Sequence, residues 1–177
     1  MGPPGHLAIG FAAKSAAPKA PLWVLLAATE IPDLLFFAFQ AIGIESAGIS
    51  TTDLSRGVQI LSPGSIPYSH GLFACLLWSV VAAAAAFLLY RDRRTSIVIG
   101  LALFSHWVLD FIVHLPDLPL LFDGSPLLRL GLWGSGPGLV ISGILEFILL
   151  AGGIAIYMIT RKKVTTQPLA RSVETHR

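Results

Sequence analysis

Four stretches of this chain, 21–42, 68–90, 95–115 and 137–160, are each apolar over about the 20 residues that a helix needs to cross ~30 Å of hydrocarbon. Composition agrees: 54% of the 177 residues are hydrophobic and 12% are charged, where soluble domains carry about 25% charged residues. Lipid leaves no backbone group unpaired, so each stretch must be a helix. The chain is therefore expected to be an all-α membrane protein, one bundle over residues 1–160, followed by a polar and disordered cytoplasmic tail at 161–177. Between the spans lie a Gly/Ser/Thr-rich loop at 43–67, a tight basic turn at 91–94 and a Pro/Gly-rich loop at 116–136. The single cysteine, Cys75, excludes an intrachain disulfide. A net charge of +2, without basic residues interleaved with aromatics, gives no reason to expect nucleic acid as a partner.

Cations report orientation. If the four spans alternate, Lys14, Lys19, Arg91, Arg93, Arg94, Arg161, Lys162 and Lys163 share one side, against Arg56 and Arg129 on the other. The positive-inside rule then places both termini in the cytoplasm and the two long loops outside.

The polar residues inside the spans are the functional signal, because ionisable groups at membrane depth cost about 2.5–3.5 kcal/mol each on insertion scales. His106, Asp110 and His114 follow an i, i+4, i+8 spacing and share one helix face. Imidazole and carboxylate at that spacing suit a divalent cation, whose charge compensates a buried anion. His114, nearest the interface, is the weakest rung. Counting inward from the outer ends, Asp33, His106 and Glu146 each lie nine residues deep, or about 13 Å at 1.5 Å per residue. His70 enters from the outer end of the second span, and Asp110 lies one turn above His106. All of these can converge in the outer half of the bundle.

The segment at 5–17 is too short to span. The run Ala17-Pro18-Lys19-Ala20-Pro21 can fold it back against the first span as a re-entrant or amphipathic helix. Counted from Lys19, His6 and Asp33 are thirteen and fourteen residues away, so antiparallel packing would set them level. Pro32 favours a kink between Glu30 and Asp33. Glu30 is read as supporting the site or pairing with Lys14, and Ser69 as a cap for the second span. Asp117 and Asp123 are read as solvating the outer loop in preference to guiding substrate. Glu146, the lone charge of its span, is a candidate general base or a further ligand.

The order of motifs, Gly5-His6, Ile31-Pro32-Asp33, Tyr68-Ser69-His70-Gly71 and Ser105-His106-Trp107-Val108-Leu109-Asp110, resembles the YdjM-like membrane-bound metal-dependent hydrolases of bacteria over roughly residues 5–115. The resemblance implies His6, Asp33, His70, His106 and Asp110 as metal ligands, and a place in the bacterial inner membrane. Leu35 stands where the family pattern has a second acid, and Gly64-Ser65-Ile66-Pro67 where it often has His-Arg-Gly. One ion is therefore expected, with zinc favoured over manganese or iron. The expected activity is hydrolysis of an ester or phosphoester, with a lipid or another envelope molecule as substrate and Glu146 as base. Two rival readings use the same residues: a small transporter passing protons or metal ions, and a non-catalytic membrane protein with a structural site.

Overall fold

The computed structural model describes residues 1–47, 49–53, 58–62, 64–115, 117–128 and 130–174, with backbone alone at 49–53, 58–62 and 163–174. Its helices are α1 (Pro3–Ala13), α2 (Leu22–Ala41), α3 (Leu72–Tyr90), α4 (Arg93–Val113) and α5 (Gly136–Glu174). Four of them, α2, α3, α4 and the Gly136–Lys162 part of α5, are long and apolar enough to cross a membrane. The helical membrane class expected from the sequence is what the structure shows. Phe147, Leu89 and Trp23 are exposed, as side chains facing lipid should be.

Two segments differ from the sequence reading. Part of the 43–67 loop is an antiparallel hairpin, β1 (Ile49–Asp53) with β2 (Val58–Ser62), in which Thr51 faces Ile60. The β-branched Ile, Thr and Val in these strands favour pairing, a signal that Gly/Ser/Thr richness obscured. Helical backbone also continues past Arg161 to Glu174, where an unstructured tail was expected. Helix extension from an existing helix needs no new nucleus, which lets the polar residues of this stretch follow the span. Arg56 and Arg129, the two cations counted on the outer side, lie outside the described residues.

Helix α4 is the central element. Half of its apolar window (50%) is buried inside the protein, against 22% for α2 and α3 and 11% for α5. Polar side chains on α4 are therefore screened from lipid on most sides. Its start is set by Asp92, whose Oδ2 accepts from the Thr95 backbone N–H at 2.9 Å and from the Thr95 hydroxyl at 2.6 Å, the standard N-cap arrangement. Lys19 Nζ donates to Asp92 Oδ1 at 2.8 Å, and this bond, ahead of those from Thr95, holds the carboxyl below its usual range. Arg91, at φ +50°, makes the left-handed turn that ends α3. Lys19 thus ties the α1–α2 turn to the α3–α4 turn, and the two short basic connections lie at one end of the bundle. Near that end, Ala17, Ala20, Leu25, Ala28, Ala86, Ile99 and Ala102 form a buried cluster of mostly small side chains, which lets helix backbones approach closely.

Helix α1 packs into the bundle as the fold-back predicted for it. Gly10 lies against α2, where a Cβ would sit 2.9 Å from Leu26 Cδ2 and 3.1 Å from the Leu25 carbonyl oxygen. Gly153 of α5 lies against the Ala8 backbone, leaving no room for any side chain. A Gly153→Leu variant should push α1 off α5 and lower stability by about 1–3 kcal/mol or more, the usual range for overpacking. Thermal unfolding in detergent would read this as a lowered midpoint. Gly152→Leu, one position along, meets no atom within 4 Å and should be neutral.

Candidate metal centre

Five residues named from the sequence come together: His6 from α1, Asp33 from α2, His70 from the turn before α3, and His106 and Asp110 from α4. Ligand atoms of His6, Asp33 and His106 lie within 4.8 Å of one another, as do those of His70, His106 and Asp110. This buried cluster could hold a metal ion. His6, His70, His106 and Asp110 are all buried, whereas the Asp33 side chain keeps 30% of its surface exposed.

The distances carry chemical information. His106 Nε2 lies 3.1 Å from Asp110 Oδ2, 3.3 Å from His70 Nε2 and 3.6 Å from Asp33 Oδ1. His70 Nε2 lies 3.5 Å from Asp110 Oδ2 and 3.2 Å from Asp33 Oδ1. Two ligand atoms held about 2.0–2.2 Å from a zinc ion at the tetrahedral angle are roughly 3.3–3.6 Å apart. The His70–His106–Asp110 triangle, at 3.1 to 3.5 Å, is close to that size.

The opposite edge of His106 shows which nitrogen faces the cluster with a lone pair. Its Nδ1 lies 2.7 Å from the Thr29 carbonyl oxygen, which can only accept, so Nδ1 carries a proton and, in the neutral ring, Nε2 is bare. A bare nitrogen 3.1 Å from a buried carboxylate oxygen repels it unless a metal ion or a proton lies between them. This donor set therefore suits a divalent ion, and a backbone carbonyl on the far ring nitrogen is a common support for a metal-bound histidine. Pro32 lies one turn from Thr29 within α2. Lacking an N–H, it leaves the Ala28 carbonyl without its helical partner and loosens the turn from which Thr29 accepts.

His6 joins differently. Its ring stacks on His106 at 3.7 Å between centroids and 10° between planes, and its Nε2 lies 2.6 Å from the Met1 carbonyl oxygen. Its Nδ1 is buried without a partner. The Met1 α-ammonium contacts Asp110 Oδ1, on the side of the carboxylate away from the His106 bond. The fold-back brings His6 within ligand distance of Asp33, as level packing of α1 and α2 requires.

Glu146 belongs to neither ligand group. Its Oε1 accepts the Gly2 N–H at 2.7 Å, and a Cβ at Gly2 would lie 2.7 Å from its Oε2. The N-terminal segment thus stands between Glu146 and Asp110, with Met1 on one and Gly2 on the other.

His114 leaves the cluster. It is the residue capping the end of α4, and its Nδ1 lies 2.6 Å from Asp117 Oδ1. Asp117 is buried, where the sequence reading placed it in a solvated loop; Asp123 accepts from the Ser65 hydroxyl at 2.6 Å. Lys14 donates to the carbonyls of Pro18 and Ala20 rather than to Glu30, and so closes the α1–α2 turn. Glu30 takes a long 3.5 Å bond from the Thr29 hydroxyl. Helix α3 begins after Gly71, so Ser69 does not cap it. Ser69 instead lies between His70 and a residue the sequence reading missed, Glu45.

Above the cluster is a cavity of about 410 Å³, bordered by Asp33, His70, Asp110 and His114 and walled by apolar groups such as Phe36 and Trp133. Polar ligands at the base of an apolar cavity suit an amphiphilic molecule with its polar part against the cluster. Compared with known proteins, the chain matches no family model, no curated protein and no solved structure.

Proposed function

We propose that the protein is a metal-dependent hydrolase of the bacterial inner membrane, similar to the YdjM-like family, acting on an ester or phosphoester of a lipid or other envelope molecule. The observation that carries the reading is the convergence of His106 Nε2 with the buried Asp110 carboxylate at 3.1 Å, His70 Nε2 at 3.3 Å and Asp33 Oδ1 at 3.6 Å. His70, His106, Asp110 and Asp33 would hold the ion, with His6 joining once its Nε2 leaves the Met1 carbonyl. Zinc suits this mixed imidazole and carboxylate set, with manganese and iron(II) as the alternatives. A bound ion supplies a water of lowered pKa and polarises the carbonyl or phosphoryl oxygen.

The chain's own residues do the rest. Phe36 and Trp133 hold the apolar part of the substrate and keep bulk water from the reacting bond. Glu146, whose Oε1 accepts the Gly2 N–H on the far side of the N-terminal segment from Asp110, would serve as the proton acceptor once that segment moves aside. The test is to purify the protein in detergent, measure bound metal, and assay a panel of phosphoesters and lipid esters with and without chelator. Chelator-sensitive turnover is expected. A chain that takes up no transition metal under any loading condition overturns the reading.

The orientation that belongs to this proposal has both termini in the cytoplasm and the cavity toward the outer leaflet. An alkaline phosphatase fused after Thr160 should be inactive, and a cytoplasm-active reporter at the same point active; the reverse pattern would invert the site.

A further inference from the structure

Glu45 is a buried acid in the connection after α2, only 4% exposed, and no cation is within ion-pair distance of it among the described residues. Its burial is offset by hydrogen bonds: Oε1 accepts the backbone N–H groups of Tyr68 at 2.7 Å and Ser69 at 2.9 Å, and Oε2 accepts the Ser69 hydroxyl at 2.5 Å. The hairpin places it there. Ser46 and Ser65 exchange two backbone bonds of 3.0 Å at the neck of the hairpin, and this brings the residue before Ser46 against the 68–70 turn.

The chain of donors continues from Ser69. Its one hydroxyl proton is given to Glu45, so toward His70 Nδ1, 2.8 Å away, the same oxygen can only accept. His70 must then carry a proton on Nδ1, and in its neutral form it presents a bare Nε2 to Asp110, Asp33 and His106. The ring is fixed in the form that binds a metal, the role that the Thr29 carbonyl plays for His106.

We infer that Glu45 is a positioning residue of the metal centre, acting through Ser69 to hold His70 in its metal-binding tautomer. This rests on the metal-site reading above but not on the hydrolytic one. It ties the fold of the outer loop to the affinity of a site inside the bundle, because the acid arrives only when the hairpin neck is paired.

The relay has a direction, and direction can be tested. Glu45→Gln keeps the shape and one carbonyl oxygen for the backbone N–H groups, but it puts an NH₂ donor beside Ser69 Oγ. Ser69 must then turn its proton toward His70 Nδ1, which moves the imidazole proton to Nε2 and blocks the ligand position. Ser69→Ala only removes the constraint and leaves His70 free to choose. Zinc affinity, measured in detergent by competition with a chromophoric chelator, should fall about 10–100-fold in Glu45→Gln, the range usual for groups supporting a metal ligand. It should fall less in Ser69→Ala, and Ser69→Thr should retain it. The double variant should match Ser69→Ala, since without the hydroxyl the glutamine cannot reverse the relay. The cobalt(II) visible spectrum of each variant reads the coordination independently of affinity, and Glu45→Gln should lose intensity that the double variant recovers. If Glu45→Gln and the parent have the same affinity and spectrum, or if the double variant is worse than Glu45→Gln, the positioning role is wrong while the metal centre stands. If Glu45→Gln does not fold, a Ser69→Ala variant equal to Ser69→Thr and the parent overturns the relay on its own. A parent that binds no metal removes the metal centre itself and this inference with it.

Discussion

On the proposed metal-centre reading, replacing Asp110 with alanine should abolish metal binding. The parent is expected to retain close to one divalent ion per chain after purification, and Asp110→Ala and His106→Ala to lose it, with affinities reduced by at least ~100-fold. That is the upper end of the loss seen when groups that merely support a ligand are removed, and a ligand should count for more. Asp110 Oδ2 is within 3.5 Å of both His70 Nε2 and His106 Nε2, so its loss opens the ligand triangle at a corner. The thermal behaviour should split in two. Without metal, Asp110→Ala leaves the buried Met1 α-ammonium without its partner and should already be less stable than the parent, a gap that metal widens. With metal at 100 times the parent's dissociation constant, the parent gains about 2.7 kcal/mol by mass action and a variant weakened 100-fold gains only about 0.4 kcal/mol. His114→Ala is the control, because His114 is spent on Asp117 at 2.6 Å, and it should keep the ion. Equal metal content in the parent and Asp110→Ala would refute the assignment.

Much of this centre was legible because membrane depth can be counted. A helix rises a fixed 1.5 Å per residue, so Asp33 and His106 could be set level from span ends alone. The fold-back of α1 was legible for the same reason, with Lys19 at the turn and His6 and Asp33 nearly equidistant from it. Counting measures height and not azimuth. Glu146 meets the Gly2 backbone and lies outside both ligand groups, because rotation about α5 is set by the Gly153–Ala8 contact, which hydropathy does not encode. His114 shows a related limit. Helical spacing projects it onto the ladder, but α4 ends at Val113, and the extended residue that follows turns its ring toward Asp117. Glu45 was missed because its partners depend on strand register at Ser46–Ser65, which composition blurs in a loop rich in serine and threonine. Its one trace in the sequence is an acid just past the end of an apolar span, without a cation nearby.

Glu146→Gln should separate binding from chemistry. If Glu146 takes the proton from the attacking water, its amide cannot, and turnover should fall about 10²–10⁴-fold, the usual contribution of a positioned general base. Metal content should not change, since Glu146 is in neither ligand group. The fold should persist as well, because a glutamine carbonyl can still accept the Gly2 N–H that now donates to Oε1 at 2.7 Å. The expected signature is thus a fall in kcat with KM and bound metal held, which identifies an interaction made in the transition state. A fall in metal content would instead make Glu146 a ligand. Full activity with full metal would move the proton to another acceptor. His114 would then be the group to replace, since it lines the same cavity as His70 and Asp110 and its ring is oriented by Asp117 through Nδ1.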